Sequence, residues 1–199
     1  MMVMEFRNKI PKRRENPPTV TDYHKHKTNL QEDFNHRCGY CDDHDYFRMT
    51  DYQIDHFVPR VQLKTIKPTD YSNLVYSCRS CNRAKWDKWP TENEDVANDG
   101  MKGFVDPCDV EYDKQFSRNR RGEIVAETPL GEWMWKALNF GNPAHSVIWK
   151  LEQILKKIIE LQAIANAYPT NSTVLVILNN LNKGYRAYLD ELKGGAPVF

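Results

Sequence analysis

The sequence predicts an α+β fold: a small strand–strand–helix unit built around a metal site, followed by a helical C-terminal extension. Three observations carry the prediction. Two Cys-x-x-Cys pairs, Cys38/Cys41 and Cys78/Cys81, lie far enough apart to enclose a structured insert. Within and after that insert, short apolar runs alternate with turn residues and then give way to a helical pattern. The last third carries two long stripes of apolar residues at helical spacing.

Size and composition set the frame. At 199 residues and 23.4 kDa, the chain fits one domain, or a small domain with an extension. Hydrophobic content of 40% and charged content of 28% are ordinary for a globular protein. Net charge is +1, so any nucleic-acid affinity must come from local patches. No apolar run is long enough to span a bilayer, and the N-terminus has no signal-peptide core. The expectation is a cytoplasmic protein without membrane contact, where thiols stay reduced. Four of the five cysteines are then better read as metal ligands than as bridges, and Cys108 as a small buried thiol.

Four segments follow. Residues 1–18 hold Arg7, Lys9, Lys12, Arg13 and Arg14 and little to bury, which predicts a solvated, loosely ordered basic arm or one laid on a phosphate backbone. Residues 19–90 form the core. Thr21 caps a helix from about Asp22 to Phe34 with Tyr23, Leu30 and Phe34 inward. Tyr46-Phe47-Arg48-Met49, a turn at Thr50-Asp51 and Tyr52-Gln53-Ile54 read as a hairpin closed by Asp55-His56 and stopped at Pro59. Asn73 to Tyr76 lead into the second pair, and a short helix runs from Arg79 to about Lys88. Residues 91–128 are an irregular connection with extended pieces at 104–108 and 122–126. Residues 129–199 are helical: Leu130 to Leu138, a long helix started by Asn142-Pro143 and ended at Tyr168-Pro169, and a second stopped by Gly194-Gly195. The two long helices are expected to pack as a hairpin, with stripes that serve as core or leave an apolar face open for another protein.

Each Cys-x-x-Cys pair can place two thiolates on one tetrahedral zinc. Four close its shell, which makes the site structural and its binding energy folding energy. Between the pairs lie the residues suited to phosphodiester cleavage. His56 can serve as a base near neutral pH. Asn82, on the helix after Cys81, offers a hard oxygen to Mg²⁺ or another divalent ion. Asn73 is placed to pin the loop that aims His56. Asp55 and His56 are adjacent in an extended strand, so their side chains diverge unless the strand end twists. Arg79, Arg83, Lys85 and Lys88 form a basic cluster beside this centre, and Lys114, Arg118, Arg120 and Arg121 a second; both read equally as phosphate contacts or solvated faces. Trp86 and Trp89 are expected in the core more than stacked on bases.

The stretch resembles the HNH endonuclease family and its ββα-metal fold, through Cys38-Gly39-Tyr40-Cys41, Ile54-Asp55-His56-Phe57-Val58-Pro59, Asn73-Leu74-Val75 and Cys78-Arg79-Ser80-Cys81-Asn82-Arg83-Ala84-Lys85. The resemblance implies His56 as general base, Asp55 as a holder of the catalytic divalent ion together with Asn82, and Asn73 as the middle residue of the triad. Many members carry His where this chain has Asn82. It implies a DNA-cleaving hydrolase. The flanks, Phe104-Val105-Asp106-Pro107-Cys108-Asp109 and Gly122-Glu123-Ile124-Val125, are similar to compact bacterial HNH proteins of anti-phage systems, including Septu-type nuclease subunits. That wider resemblance implies an ATPase partner, docked through the C-terminal helices. The competing expectation is a non-catalytic zinc module that binds nucleic acid or protein.

Overall fold

A computed structural model describes residues 4–47 and 52–194. The chain divides into two compact units, Met1–Asn142 and Pro143–Phe199. The fold is mixed helix and strand, with five α-helices and two small sheets among the described residues.

In the first unit, Tyr23–His26 form a 3-10 turn that runs into α1 (Lys27–Asp33). The cap is Asp22 rather than Thr21: its carboxylate accepts from the His24 amide, leaving the first turn tight. Leu30 and Phe34 are buried as expected, and Phe34 sits against the first Cys pair. Gly39 is needed there because a Cβ would lie 2.6 Å from the Phe34 ring and 2.8 Å from Val75.

The expected hairpin takes a different partner. Asp45–Phe47 form a 3-10 turn, while residues 48–51 of the expected first strand and turn lie outside the described residues. Strand β2 (Gln53–His56) instead pairs antiparallel with β3 (Leu74–Ser77), with Ile54 opposite Tyr76 and His56 opposite Leu74. The β3 side chains are all buried, so this pair is the floor of the unit. Helix α2 (Arg79–Lys85) follows, capped by the Cys78 sulfur accepting from the Cys81 amide. It ends three residues early, at Trp86, whose φ of 47° and ψ of −132° leave the helical region. A left-handed φ on a bulky residue costs about 1–3 kcal/mol.

A second sheet has order β1 (Met4–Glu5), β4 (Phe116–Arg118), β5 (Ile124–Ala126), all antiparallel. The expected extended piece at 104–108 is not a strand, although Phe104 is wholly buried. Helix α3 (Pro129–Ala137) starts at a Thr128 cap.

The N-terminal stretch is not the loose, solvated arm expected of it. Phe6 is buried among Tyr112, Phe116 and Phe140. Arg7 is buried, donates to the Pro107 carbonyl at 2.8 Å and pairs with Asp113 at 2.6 Å. Arg13 grips Asp106 with both carboxylate oxygens and donates to the Leu74 carbonyl; Arg14 clamps Asp33 and Glu32. Carboxylates and backbone carbonyls elsewhere in the unit took these arginines, because a guanidinium's planar fork satisfies several acceptors at once. Arg118 is likewise buried, on the Gly122 and Cys41 carbonyls, rather than part of a solvent-facing basic run.

In the second unit, α4 (Pro143–Ala167) and α5 (Ser172–Leu192, capped by Asn171) pack on each other as the expected hairpin. Val147, Ile148, Leu151 and Leu178 are buried. Toward the 168–171 turn burial fades, and Ile159, Ile164, Tyr168, Leu175, Val176 and Ile177 are exposed.

Candidate active site beside a four-cysteine cluster

The Cys38, Cys41, Cys78 and Cys81 sulfurs all lie within 4.8 Å of one another, and all four residues are buried. The Cys41 and Cys78 sulfurs are 3.8 Å apart. A tetrahedral zinc with bonds of about 2.3 Å needs its sulfurs about 3.8 Å from each other, so the donor set fits that ion. Electrostatics agree. Burial alone would raise the Cys38 thiol; hydrogen bonds from Cys41, Cys78 and Cys81 carry it well below its usual range. Cys41 and Cys81 are pushed well up, first by burial and then by their neighbouring sulfurs. A bound dication would favour the thiolate form of its ligands. Cys108 stands apart from the cluster, its thiol raised to about 11 by burial.

On the outer side of β2 and α2 is a cleft of roughly 350 Å³, lined by Gln53, Asp55, His56, Asn82, Arg60 and Arg79, with Arg83, Trp86 and Asp87 on its rim. The Asp-His pair reaches it by two routes. Asp55 is turned inward: its Oδ2 accepts from Tyr40 Oη at 2.5 Å and pairs with Lys85 Nζ at 3.0 Å. Burial pushes its carboxyl pKa up, against the pull of the Lys85 ammonium and the Tyr40 hydrogen bond. His56 is held from the other side. Its Nε2 lies 2.9 Å from the Pro68 carbonyl, and its ring meets the edge of Tyr23 at 4.7 Å. A carbonyl only accepts, so Nε2 carries the hydrogen and Nδ1 holds the lone pair. Burial lowers the imidazole's pKa, which keeps that lone pair free near neutral pH.

Asn73 is buried and clasps Val58 twice, accepting from its amide at 2.8 Å and donating to its carbonyl at 3.1 Å. Its own carbonyl accepts from the Phe57 amide, so the chain just after His56 is tied to the start of β3. Asn82, which lines the cleft, donates through Nδ2 to Gln53 Oε1 at 2.8 Å.

The basic cluster separates into two kinds of residue. Arg79 and Arg83 are exposed on the cleft, joined by Arg60; none of the three has an ion-pair partner among the described residues. Lys85 is wholly enclosed, spent on Asp55 and on the His56 carbonyl at 2.8 Å, and cannot reach a phosphate from there. Lys88 bends back onto the carbonyls of Ala84 and Ala137. Trp89 is core, as expected, but Trp86 is 72% exposed. Sequence reasoning passed over Tyr40, Tyr23, Gln53 and Arg60. Tyr40 offered a signal, since an aromatic hydroxyl between two ligand cysteines must find a buried acceptor. Arg60, directly after the strand-ending Pro59, offered another.

A two-stranded floor, a helix across it, a buried cluster of four cysteines and an Asp-His strand end together define a ββα-metal unit. Residues 38–88 match the family model of HNH endonucleases, so this stretch is an HNH-type domain. No curated protein and no solved structure matches the chain. No helix of the described residues is long and apolar enough to cross a membrane.

Proposed function

We propose that residues 38–88 are the catalytic centre of a metal-dependent endonuclease that hydrolyses DNA phosphodiester bonds. The observation that carries this reading is the convergence of His56, Asn82, Arg60, Arg79 and Arg83 on one cleft next to the cysteine cluster. His56 is the general base: Nε2–H is anchored on the Pro68 carbonyl, and Nδ1 takes the proton of the attacking water. Asn73 is a positioning residue that fixes the turn after His56. Arg60, Arg79 and Arg83 neutralise the phosphates flanking the scissile bond. Cys38, Cys41, Cys78 and Cys81 hold a structural zinc. Asp55, through the oxygen not bound to Lys85 and Tyr40, and Asn82, through its amide oxygen, would hold Mg²⁺ or another divalent cation. Such a cation supplies charge to offset the developing phosphorane and leaving oxygen.

The test is nicking and cutting of supercoiled plasmid in Mg²⁺ or Mn²⁺, with His56→Ala as control. Cleavage by the wild type alone is expected; equal inertness of both proteins with every candidate partner would remove the reading. The pairing of Asp55 with Lys85 favours a second reading, a non-catalytic zinc module, and that inert outcome is the one it expects. A role as effector of an anti-phage or restriction-type system in the cytoplasm, beside an ATPase partner, is supported by the resemblance of the flanks. The apolar side chains exposed near the 168–171 turn are a surface such a partner could use. Co-purification from the native operon context tests it.

A further inference from the structure

We infer that Trp86 is a stacking platform for an unpaired nucleobase, and that the cleft therefore takes strands with unstacked bases beside the cut; this rests on the reading of the cleft as a nucleic-acid site. Trp86 is the residue on which two independent oddities meet. Its backbone is in a left-handed conformation, φ 47°, that favours glycine, and no burial compensates, because 72% of the residue faces solvent. Among the described residues its indole has no hydrogen bond and no aromatic neighbour. A large aromatic kept at a strained, exposed corner gains nothing from the fold around it.

Its position supplies the reason. Arg79, Asn82 and Arg83 stand at i, i+3 and i+4 on one face of α2, Trp86 follows directly at its C-terminal end, and all four border the cleft that holds His56. Exposed guanidiniums without protein partners match phosphates. An exposed indole beside them matches what a strand presents between phosphates, the flat face of a base. Inside a duplex those faces are covered by neighbouring base pairs, and a side chain meets only base edges. An indole on the rim thus finds a face only where a base is unpaired, frayed or flipped out.

The test measures binding rather than cleavage, in a His56→Ala background, with a labelled oligothymidylate and a blunt duplex of equal length as probes. Trp86→Gly relieves the backbone strain and removes the ring; Trp86→Phe keeps a smaller one. The expected result is a loss of single-strand affinity of about 10- to 100-fold for Trp86→Gly, a smaller loss for Trp86→Phe, unchanged duplex affinity, and a melting temperature for Trp86→Gly no lower than its parent's. Trp86→Gly binding the single strand as tightly as its parent overturns the inference. So does an equal loss on both probes with a lowered melting temperature, which marks a structural role. Failure of the parent to bind either probe overturns it together with the nucleic-acid reading. Trp86-dependent binding by a wild-type chain that cuts nothing leaves it standing and removes only the catalytic step.

Discussion

At the scale of single residues, the proposed site depends on two ionisable groups that the chain has enclosed. As the proposed base, His56 can act only when neutral. Burial lowers its pKa from the ordinary 6.5, so the neutral form persists to lower pH than in a free imidazole. Activity should therefore fall as pH drops through that lowered value and level off above it. A kcat/KM profile between about pH 5 and 8 reads it; an acid limb centred above 6.5 contradicts the assignment. His56→Ala should lower the rate by about 10²- to 10⁴-fold with folding intact. Lys85 is the other enclosed group. Its ammonium joins α2 to β2 through Asp55 and the His56 carbonyl, so Lys85→Met leaves a buried carboxylate without its counter-charge. The expected cost is about 3–5 kcal/mol in urea unfolding, and Asp55→Asn added to it should restore part of the loss. Additive losses would show that the two do not act as a pair. Both charges were visible in the sequence, but which lysine lies inside was not. Lys85 and Lys88 look alike in a basic run, and only the helix end at Trp86 puts one under the strand and the other on the surface.

At the scale of elements, a zinc on the four cysteines would add stability that such short elements lack. Strands β2 and β3 have four residues each and α2 has seven, lengths that are marginal alone. Each Cys pair anchors one end of this unit, with Cys41 before β2 and Cys78 between β3 and α2. Removing the ion should release both ends together. Cys78→Ser is expected to lose bound zinc, measured by elemental analysis, and to lose the protection from hydrogen exchange of β2, β3 and α2, while α4 and α5 keep their helical signal in circular dichroism. A chelator should do the same to the wild type; a metal-free protein with β2 and β3 still protected refutes it. This unit was legible because its signals are local: cysteine spacing, a strand ending at Pro59, a helix after Cys81. The partner of β2 was not, since the nearest extended run in sequence precedes it while the strand that pairs with it lies beyond a 17-residue connection. Thr21 and Asp22 both have capping side chains, and the choice between them depended on a 3-10 turn that no periodicity announces.

For the molecule as a whole, the largest gap between sequence and structure is at the N-terminus, and it has the most direct consequence. A run of five basic residues with few apolar neighbours reads as surface, because charge is normally expensive to bury. The acceptors that offset it lie far along the chain: Asp106, Pro107 and Asp113 for Arg7 and Arg13, and Ser117 and Arg118 as the β-strand partners of Met4 and Glu5. The stretch thus joins the 104–118 segment and α1 to the HNH-type unit, and Arg13 binds the carbonyl of Leu74, the residue opposite His56. Deleting residues 1–14 would remove the edge strand β1, the buried Phe6 and three bound guanidiniums at once. The burial of Phe6 alone is worth about 3–5 kcal/mol, and a whole domain has only about 5–15 kcal/mol to lose. The truncated chain is expected to lose the cooperative thermal transition of the first unit. Lys12→Gln is the contrasting variant, because Lys12 is 83% exposed and paired only with Glu15. It should leave the melting temperature unchanged, as an exposed ion pair contributes about 0–1 kcal/mol. An arm whose work was to lie on phosphate would give the opposite pattern. Truncation would spare the melting temperature and lower the salt dependence of DNA binding, and Lys12→Gln would lower that dependence in part. A truncated protein that melts with the full-length one would therefore return the arm to the surface.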